Sequence, residues 1–276
     1  MINFSHPIYR YRILFLSGCA ALIFTIAYSV IYETWWLLLA SYVWSRVVGF
    51  VANQIASHRY FAHKTFTTSK WKHKFLLYFS ILGGEGSPVS WAITHRHHHK
   101  YTETKNDIHS PYESLWLSSL TWQTKSVHWW LKEKNVRTLP RDLLKDKEIR
   151  FIDKHYYTIW LLLSLLALAI DWKILVFFLL APVGQGVVSA VFVNTISHWN
   201  VWGSYRNFET QDKSYNNKWV AFYLGGEGLH NNHHYDTSRY NQAFKEDEFD
   251  LGGWFVDKFF ITKTKVIPSE NTKVLQ

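Results

Sequence analysis

Histidine is the residue whose placement in this chain could do chemistry. Most of the 15 histidines fall in four short groups. These are HRYFAH from His58 to His63, HRHHH at 95–99, the pair Asn194 and His198, and HNNHH at 230–234. On a helix, positions i, i+3 and i+4 share a face. His95, His98 and His99 can therefore converge, and His230, His233 and His234 repeat the pattern. Asn194 and His198, at i and i+4, also share a face, whereas His97 lies about 200° round from His95 and points elsewhere. Imidazole binds zinc, copper, iron and nickel alike. Nine rings are too many for one ordinary first-row ion, so two ions are implied.

The other residue types narrow the metal and its chemistry. Cys19 is the only cysteine, which excludes iron–sulfur and thiolate zinc sites and leaves nothing that needs an oxidising compartment. Soluble carboxylate di-iron bundles use paired Glu-x-x-His motifs. Glu227-Gly-Leu-His230 matches once, but Gly225, Gly226 and Gly228 argue against a regular helix there. Glu227 is read instead as a group that orients a histidine, and Glu85, in a similar GGEG, is given the same role. A site rich in neutral imidazole and poor in carboxylate can hold redox-active iron with room for oxygen. Zinc hydrolysis needs only one ion with an open position, so two adjacent irons point to oxidation by O2.

The elements that must position these groups include membrane spans. The run 13–32 has no charge and is roughly long enough to cross a ~30 Å hydrocarbon core as a helix. Further spans are expected at 34–57, with Arg46 as an interior charge, and at 156–170 and 174–197, so that the four form two hairpins. Tyr32, Trp35, Trp172 and Trp199 near the run ends suit headgroup-level rings. The first run is too long for a signal-peptide core and a second follows at once, so it reads as permanent. The net charge of +9 resides in the N-terminal arm (Arg10, Arg12), in 58–155 and in the tail after 199. The positive-inside rule puts all three, and both termini, in the cytoplasm. In a chain with four spans this basic charge suits anionic headgroups or an anionic partner, not nucleic acid. A helix over 34–63 would be about 45 Å long and would project beyond the bilayer, carrying His58 and His63. The expected fold is all-α and integral to the membrane: one domain over 1–276, four spans, and a cytoplasmic helical cap from 58–155 and 199–276 holding a histidine-rich di-iron site. The near-amphipathic segment 71–82 would lie along the interface.

The segments HRYFAH, GGEGSPVSWAITHRHHHKYTETKNDIHSP, NTISHW, DKSYNNKWVAFYLGGEGLHNNHH and FKEDEFDLGGWF resemble the membrane fatty acid desaturase family. The similarity is to its stearoyl-type Δ9 branch of bacterial acyl-lipid and animal acyl-CoA desaturases. Three boxes in this order, at these separations, are a specific signal, and with the spans they cover most of the chain. The resemblance implies a di-iron centre ligated by His58, His63, His95, His98, His99, His198, His230, His233 and His234, with Asn194 binding a metal-coordinated water. Glu85, Glu227 and Asp107, the last from the Asp-x-His-Ser-Pro stretch, would support the ligands. It implies insertion of a cis double bond into a long acyl chain, with O2 and two electrons from ferredoxin or cytochrome b5. The acyl chain would enter a bent tunnel beneath the cap. Arg46, a charge within a span, either makes a satisfied structural contact inside the bundle or, with Tyr42, borders that tunnel and limits chain length.

The chain departs from the animal acyl-CoA members in the residues they use for the CoA headgroup. Ile93 stands where they have an arginine, and their later Arg-Lys pair is missing near Gln123-Thr124-Lys125. Ile108, where Pro or Val is common, changes little. The departures favour an acyl-lipid or acyl carrier protein substrate. The lack of an appended cytochrome domain favours a bacterial plasma membrane over endoplasmic reticulum. Lys70, Lys72 and Lys74 could help a basic cap dock an acidic donor. Two other functions would use similar residues. A hydroxylase on the same scaffold would yield hydroxylated instead of unsaturated products. A metal transporter would place its site near the bilayer midplane, where only Arg46, Gln54 and Gln185 are strongly polar.

Overall fold

The computed structural model describes residues 7–124 and 139–262. Lys125 and the parts of the expected cap at 125–138 and 263–276 lie outside the described residues. Helix α1 (Pro7–Ile31) and helix α2 (Trp35–Val48) form the first hairpin. Helix α2 runs without a break into a π-helical segment, Gly49–Ala62, so the long projecting helix is present but changes its winding halfway. Helices α3 (Lys70–Ser80), α4 (Pro88–Tyr101) and the short α5 (Leu115–Ser119) follow. Helix α6 (Lys147–Ile170) leads into the second hairpin, whose return limb is π-helical over Ile174–Leu180, α-helical as α7 (Ala181–Ala190) and π-helical again over Val191–Thr195. The last of the described residues form a two-stranded antiparallel ribbon and three short helices. In the ribbon Ser204 pairs with Asn217 and Tyr205 with Asn216. The helices are α8 (Lys218–Tyr223), α9 (His230–Tyr235) and α10 (Leu251–Phe259).

Among the described residues three helices are long and apolar enough to cross a membrane: Arg12–Ile31, Trp35–Ala62 and Ile174–His198. The fourth expected span differs. Helix α6 begins with charged residues, and its apolar part, 156–170, is about 22 Å long, short of a ~30 Å core. Its outer face is nevertheless apolar, with Leu161, Leu162, Leu165 and Leu166 all exposed. Helices α1 and α7 pack closely because Gly18 and Gly184 face each other. A Cβ on Gly184 would stand 2.4 Å from the Gly18 carbonyl oxygen, the small-residue contact by which helices associate where no hydrophobic force acts between them.

The core above these helices joins the π-helical segment to α3, α4 and α6 through Ile55, Phe61, Leu76, Leu77, Ala92 and Ile152, none more than 1% exposed. Capping fixes where α4 starts. The Ser87 hydroxyl accepts the Ser90 N–H, and Pro88 occupies the first turn, where its missing donor costs nothing. Ser87 also donates to Asp153 on α6, which anchors the histidine-bearing helix to its neighbour.

Candidate metal centre

The winding of Gly49–Ala62 decides where its histidines point. On an α-helix His58 and His63, five residues apart, would face about 140° away from each other. In the π-helical register hydrogen bonds close over five residues, and the His63 N–H donates to the His58 carbonyl at 3.1 Å. The two rings then stand 4.9 Å apart, centroid to centroid.

The nine histidines singled out from the sequence gather in two adjacent groups. One holds His58, His63, His95, His99 and His233; the other holds His98, His198, His230 and His234; within each group the ligand atoms all lie within 4.8 Å of one another. In the first, Nε2 atoms approach at 2.7 Å (His63 and His95) and at 3.0 Å (His95 and His99, His99 and His233, His58 and His233). In the second, the His230 Nε2 lies 3.0 Å from that of His198 and 3.1 Å from that of His234. The triplets do not each serve one site, as a shared face suggests. On α4 the i, i+4 pair His95 and His99 joins the five-ring group while His98 turns to the other. On α9 the pair His230 and His234 joins the four-ring group while His233 crosses over. Each triplet thus bridges the two groups. His97 stays outside both, its Nε2 bonded to the Asn106 carbonyl at 2.8 Å.

Carboxylates hold the outer nitrogens. His98 Nδ1 is 2.9 Å from Asp107, His198 Nδ1 is 2.9 Å from Glu103, and His234 Nδ1 is 3.2 Å from Asp212. Glu227 takes His58 Nδ1 at 2.7 Å. Glu103 and Asp212 were not singled out from the sequence, since each is an ordinary acid in a loop. Glu103 has φ 62, the left-handed region that non-glycine residues seldom adopt and that clusters at functional sites. It also accepts the Lys213 N–H. Burial alone would raise the carboxyls of Asp107 and Asp212, but the adjoining His98 and His234 hold both well below the usual range. Burial, reinforced by neighbouring rings, pushes His63, His95, His99, His230 and His233 well below the ordinary histidine value, and brings His234 to about 4. These rings are neutral, the form that binds metal.

Behind Glu227 lies a buried cation. Arg59, 1% exposed, reaches Glu227 at 3.1 Å and both Asp250 oxygens at 3.1 and 3.2 Å. Asp250 caps α10 by accepting the Gly253 N–H. The neighbouring Gly252 is required by close approach, because a Cβ there would stand 1.5 Å from the Arg59 Nη1. The FKEDEFDLGGWF stretch therefore delivers a counter-charge to the far side of His58.

Glu85 is placed differently from the expectation. Its oxygens accept from Asn53 and from the Trp91 indole, both at 3.0 Å, and it reaches no histidine. Its link to the rings is Trp91, which lies 4.5 Å from His95. Burial raises its carboxyl to about 7. Glu85 and Trp91 line a cavity with His58, His95, His98 and His230. Asn194, in the π-helical stretch, lines the same cavity. Tyr42 and Arg46 do not. Arg46 is instead turned to α8, where it donates to the Tyr223 carbonyl and lies 4.5 Å from the Tyr223 ring.

The donor set fits a pair of cations. A neutral ring whose Nδ1–H is given to a carboxylate keeps a bare lone pair on Nε2. His58, His198 and His234 each set Nδ1 against a carboxylate, and their Nε2 atoms point at the Nε2 atoms of neighbouring rings about 3 Å away. Several lone pairs aimed inward at one point suit a shared metal ion, with the carboxylates fixing tautomer and orientation.

Comparison with known proteins bears on what such a centre does. The sequence profile of the family described as Fatty acid desaturase matches residues 7–243. The Delta-9 acyl-lipid desaturase 2 of Arabidopsis thaliana is 30% identical over 235 residues, covering 83% of this chain and 73% of its own. The Acyl-CoA C20 Delta5-desaturase of Anemone leveillei is 32% identical over 226 residues, 81% of this chain and 70% of its own. The sn-1 stearoyl-lipid 9-desaturase of Anabaena variabilis is 30% identical over 189 residues, 68% of this chain and 67% of its own.

Proposed function

The chain belongs to the fatty acid desaturase family, and from that premise we propose that it inserts a cis double bond at Δ9 of a long saturated acyl chain carried on a lipid. The observation that carries the reading is the double histidine cluster opening on one cavity. Acyl-lipid relatives of the Δ9 type, with Ile93 standing where animal acyl-CoA members have arginine, support the lipid-borne substrate.

In this reading the two clusters hold two iron ions, with His58, His63, His95, His99 and His233 on one and His98, His198, His230 and His234 on the other. Asn194 completes the second through a water. When bound, the irons supply the redox chemistry by which O2, two electrons and two protons take two hydrogens from adjacent methylenes and leave water. The chain's own groups do the rest. Asp107, Glu103, Asp212 and Glu227 hold their rings by Nδ1. The half-buried Trp91 and Trp122 form apolar walls of the cavity, which keeps bulk water from the reacting carbons. Electrons arrive from an acidic donor such as ferredoxin or cytochrome b5, docked on a basic cap. The topology proposed is four spans, with α6 crossing despite its short apolar run, both termini in the cytoplasm, and residence in a bacterial plasma membrane.

The test is a whole-lipid fatty acid profile with double-bond positions mapped, from a host expressing wild type or His98→Ala. New Δ9 monounsaturates with wild type alone are expected. Equal profiles from the two proteins, each present in the membrane, would overturn the reading.

A further inference from the structure

Some of the most exposed large side chains of the described residues lie together, far from the histidines in role. Trp202 is 81%, Phe222 86% and Trp219 65% exposed. Trp202 and Trp219 stack at 6.1 Å, and Trp219 and Phe222 are three residues apart on one face of α8. Exposed apolar surface of this extent marks a place that something covers.

The opposite side of α8 identifies the cover. Tyr223, its last residue, is tied twice to the spanning helices. Arg46 of α2 donates to its carbonyl, and Gln185 of α7 donates to its hydroxyl at 2.9 Å. From Trp35 to Arg46 and from Ile174 to Gln185 is eleven residues in each case, counted from where each candidate span begins. That is at most about 16 Å along the axis, roughly half of a ~30 Å hydrocarbon core. Two separate helices thus hold the end of α8 from one depth through an arginine and a glutamine side chain, whose reach lets its six residues, about 9 Å long, climb to the interface. At its other end Lys218 pairs with Asp247, both well exposed, so the element runs from charged, through Trp219 with Trp202 stacked on it, to apolar at Phe222.

We propose that α8 is a re-entrant element whose exposed face is covered by lipid: Trp202 and Trp219 lie at headgroup level and Phe222 lies among acyl chains. The proposal rests on the membrane reading given above. Rings of this kind settle at the interface because one end is apolar and the other wet. A helix end at that depth leaves carbonyls without water; Arg46 satisfies that of Tyr223, and the pairing gives a charge inside a span the partner it needs. Arg46 thereby acquires a structural use: it pins a dipping segment of the cap to the membrane helices.

The experiment uses the full chain in phospholipid vesicles, with Cys19→Ser removing the native thiol and a nitroxide attached at Phe222→Cys. Leu39→Cys on α2 and Glu209→Cys, whose side chain is 96% exposed, serve as references. Collision of the nitroxide with O2 and with a water-soluble nickel chelate is measured by power saturation. The expected result is an oxygen-to-nickel ratio at Phe222→Cys several-fold above that at Glu209→Cys and close to that at Leu39→Cys. Trp202→Cys should give an intermediate ratio, and serves alone if the first variant does not accumulate. A water-like ratio at both sites, with Leu39→Cys lipid-like, would overturn the proposal and leave the membrane reading standing. A water-like ratio at Leu39→Cys as well would overturn both. Dipolar broadening between labels on neighbouring molecules would show a second copy covering the face, and would overturn it too.

Discussion

The five-ring and four-ring clusters are built on the same two helices, α4 and α9, yet they are held in different ways. In the four-ring cluster His98, His198 and His234 are each held by a carboxylate from a loop: Asp107, Glu103 and Asp212. Among the described residues only His58 of the five-ring cluster has such a partner, Glu227, and that carboxylate is shared with the buried Arg59. The remaining rings of the five-ring cluster are aimed by helix geometry, above all by the π-helical register that brings His63 beside His58. One cluster is thus fixed by tertiary contacts between loops and the other by secondary structure. Loop carboxylates also leave three formal charges next to four rings, whereas the single one beside the five shares Arg59 with Asp250. Ions bound in the two places would therefore sit in unlike fields.

The comparison breaks most directly if the clusters do not load independently. His95→Ala and His230→Ala should each bring Δ9 product below detection, a loss beyond the roughly 10–100-fold typical of outer partners. Each should also lower the metal content of the purified protein by about half. Metal analysis showing both ions lost from either variant would mean that the clusters form as a unit.

The next effect concerns the orienting acids. Asp107→Asn and Asp212→Asn should each weaken metal binding about 10–100-fold, measured by competition with a chelator, and the weakened ion should be only one of the two. Loss confined to neither ion would erase the distinction drawn between loop-held and helix-held rings.

A smaller effect is expected behind the five-ring cluster. Asp250→Asn keeps an acceptor beside Arg59 but removes a charge, and should cost about 1.5–3 kcal/mol of stability. A thermal melt in detergent should show this while turnover per bound metal stays near wild type. An unchanged melting temperature would mean that Glu227 alone suffices for Arg59.

The smallest effect is pH-dependent. Burial raises the Glu85 carboxyl to about 7, above its ordinary value near 4.5. The folded state therefore keeps a proton that the unfolded chain has already released, and this group's contribution declines as pH rises from about 4.5 through 7. Glu85→Gln should melt like wild type in acid and above it at pH 8. Parallel melting curves across that range would show that Glu85 is ionised in the fold.

The sequence pattern of i, i+3 and i+4 histidines was enough to find both triplets, because α4 and α9 are ordinary α-helices and side-chain spacing maps directly onto their faces. It did not show that each triplet would be divided between two clusters, which depends on how the helices face each other. The π-helical segments were not legible at all. Their hydrogen-bond register leaves no signature in residue type, and Gly49–Ala62 reads as a plain continuation of α2. Glu103 and Asp212 escaped for another reason: their partners lie 95 and 22 residues away in the chain, so no local spacing connects them. Glu85 was found by its likeness to the Glu227 setting, yet the fold gives it Asn53 and Trp91 in place of a ring. The membrane helices were legible from apolar run length for three of the four expected. Helix α6 fell short because its apolar part covers only its last fifteen residues.

The division of each triplet between clusters also sets an order of assembly during synthesis. As the chain leaves the ribosome, His58, His63, His95 and His99 emerge within the first hundred residues, leaving the five-ring cluster one donor short. The four-ring cluster at that stage has only His98. Both are completed by the same six-residue helix, His230–Tyr235. A nascent chain stalled anywhere before it would carry a crowded, incomplete pocket of imidazoles and no finished one. Premature termination before that helix would thus yield a product with neither cluster intact, and co-translational metal capture can be complete only once His230–Tyr235 has emerged.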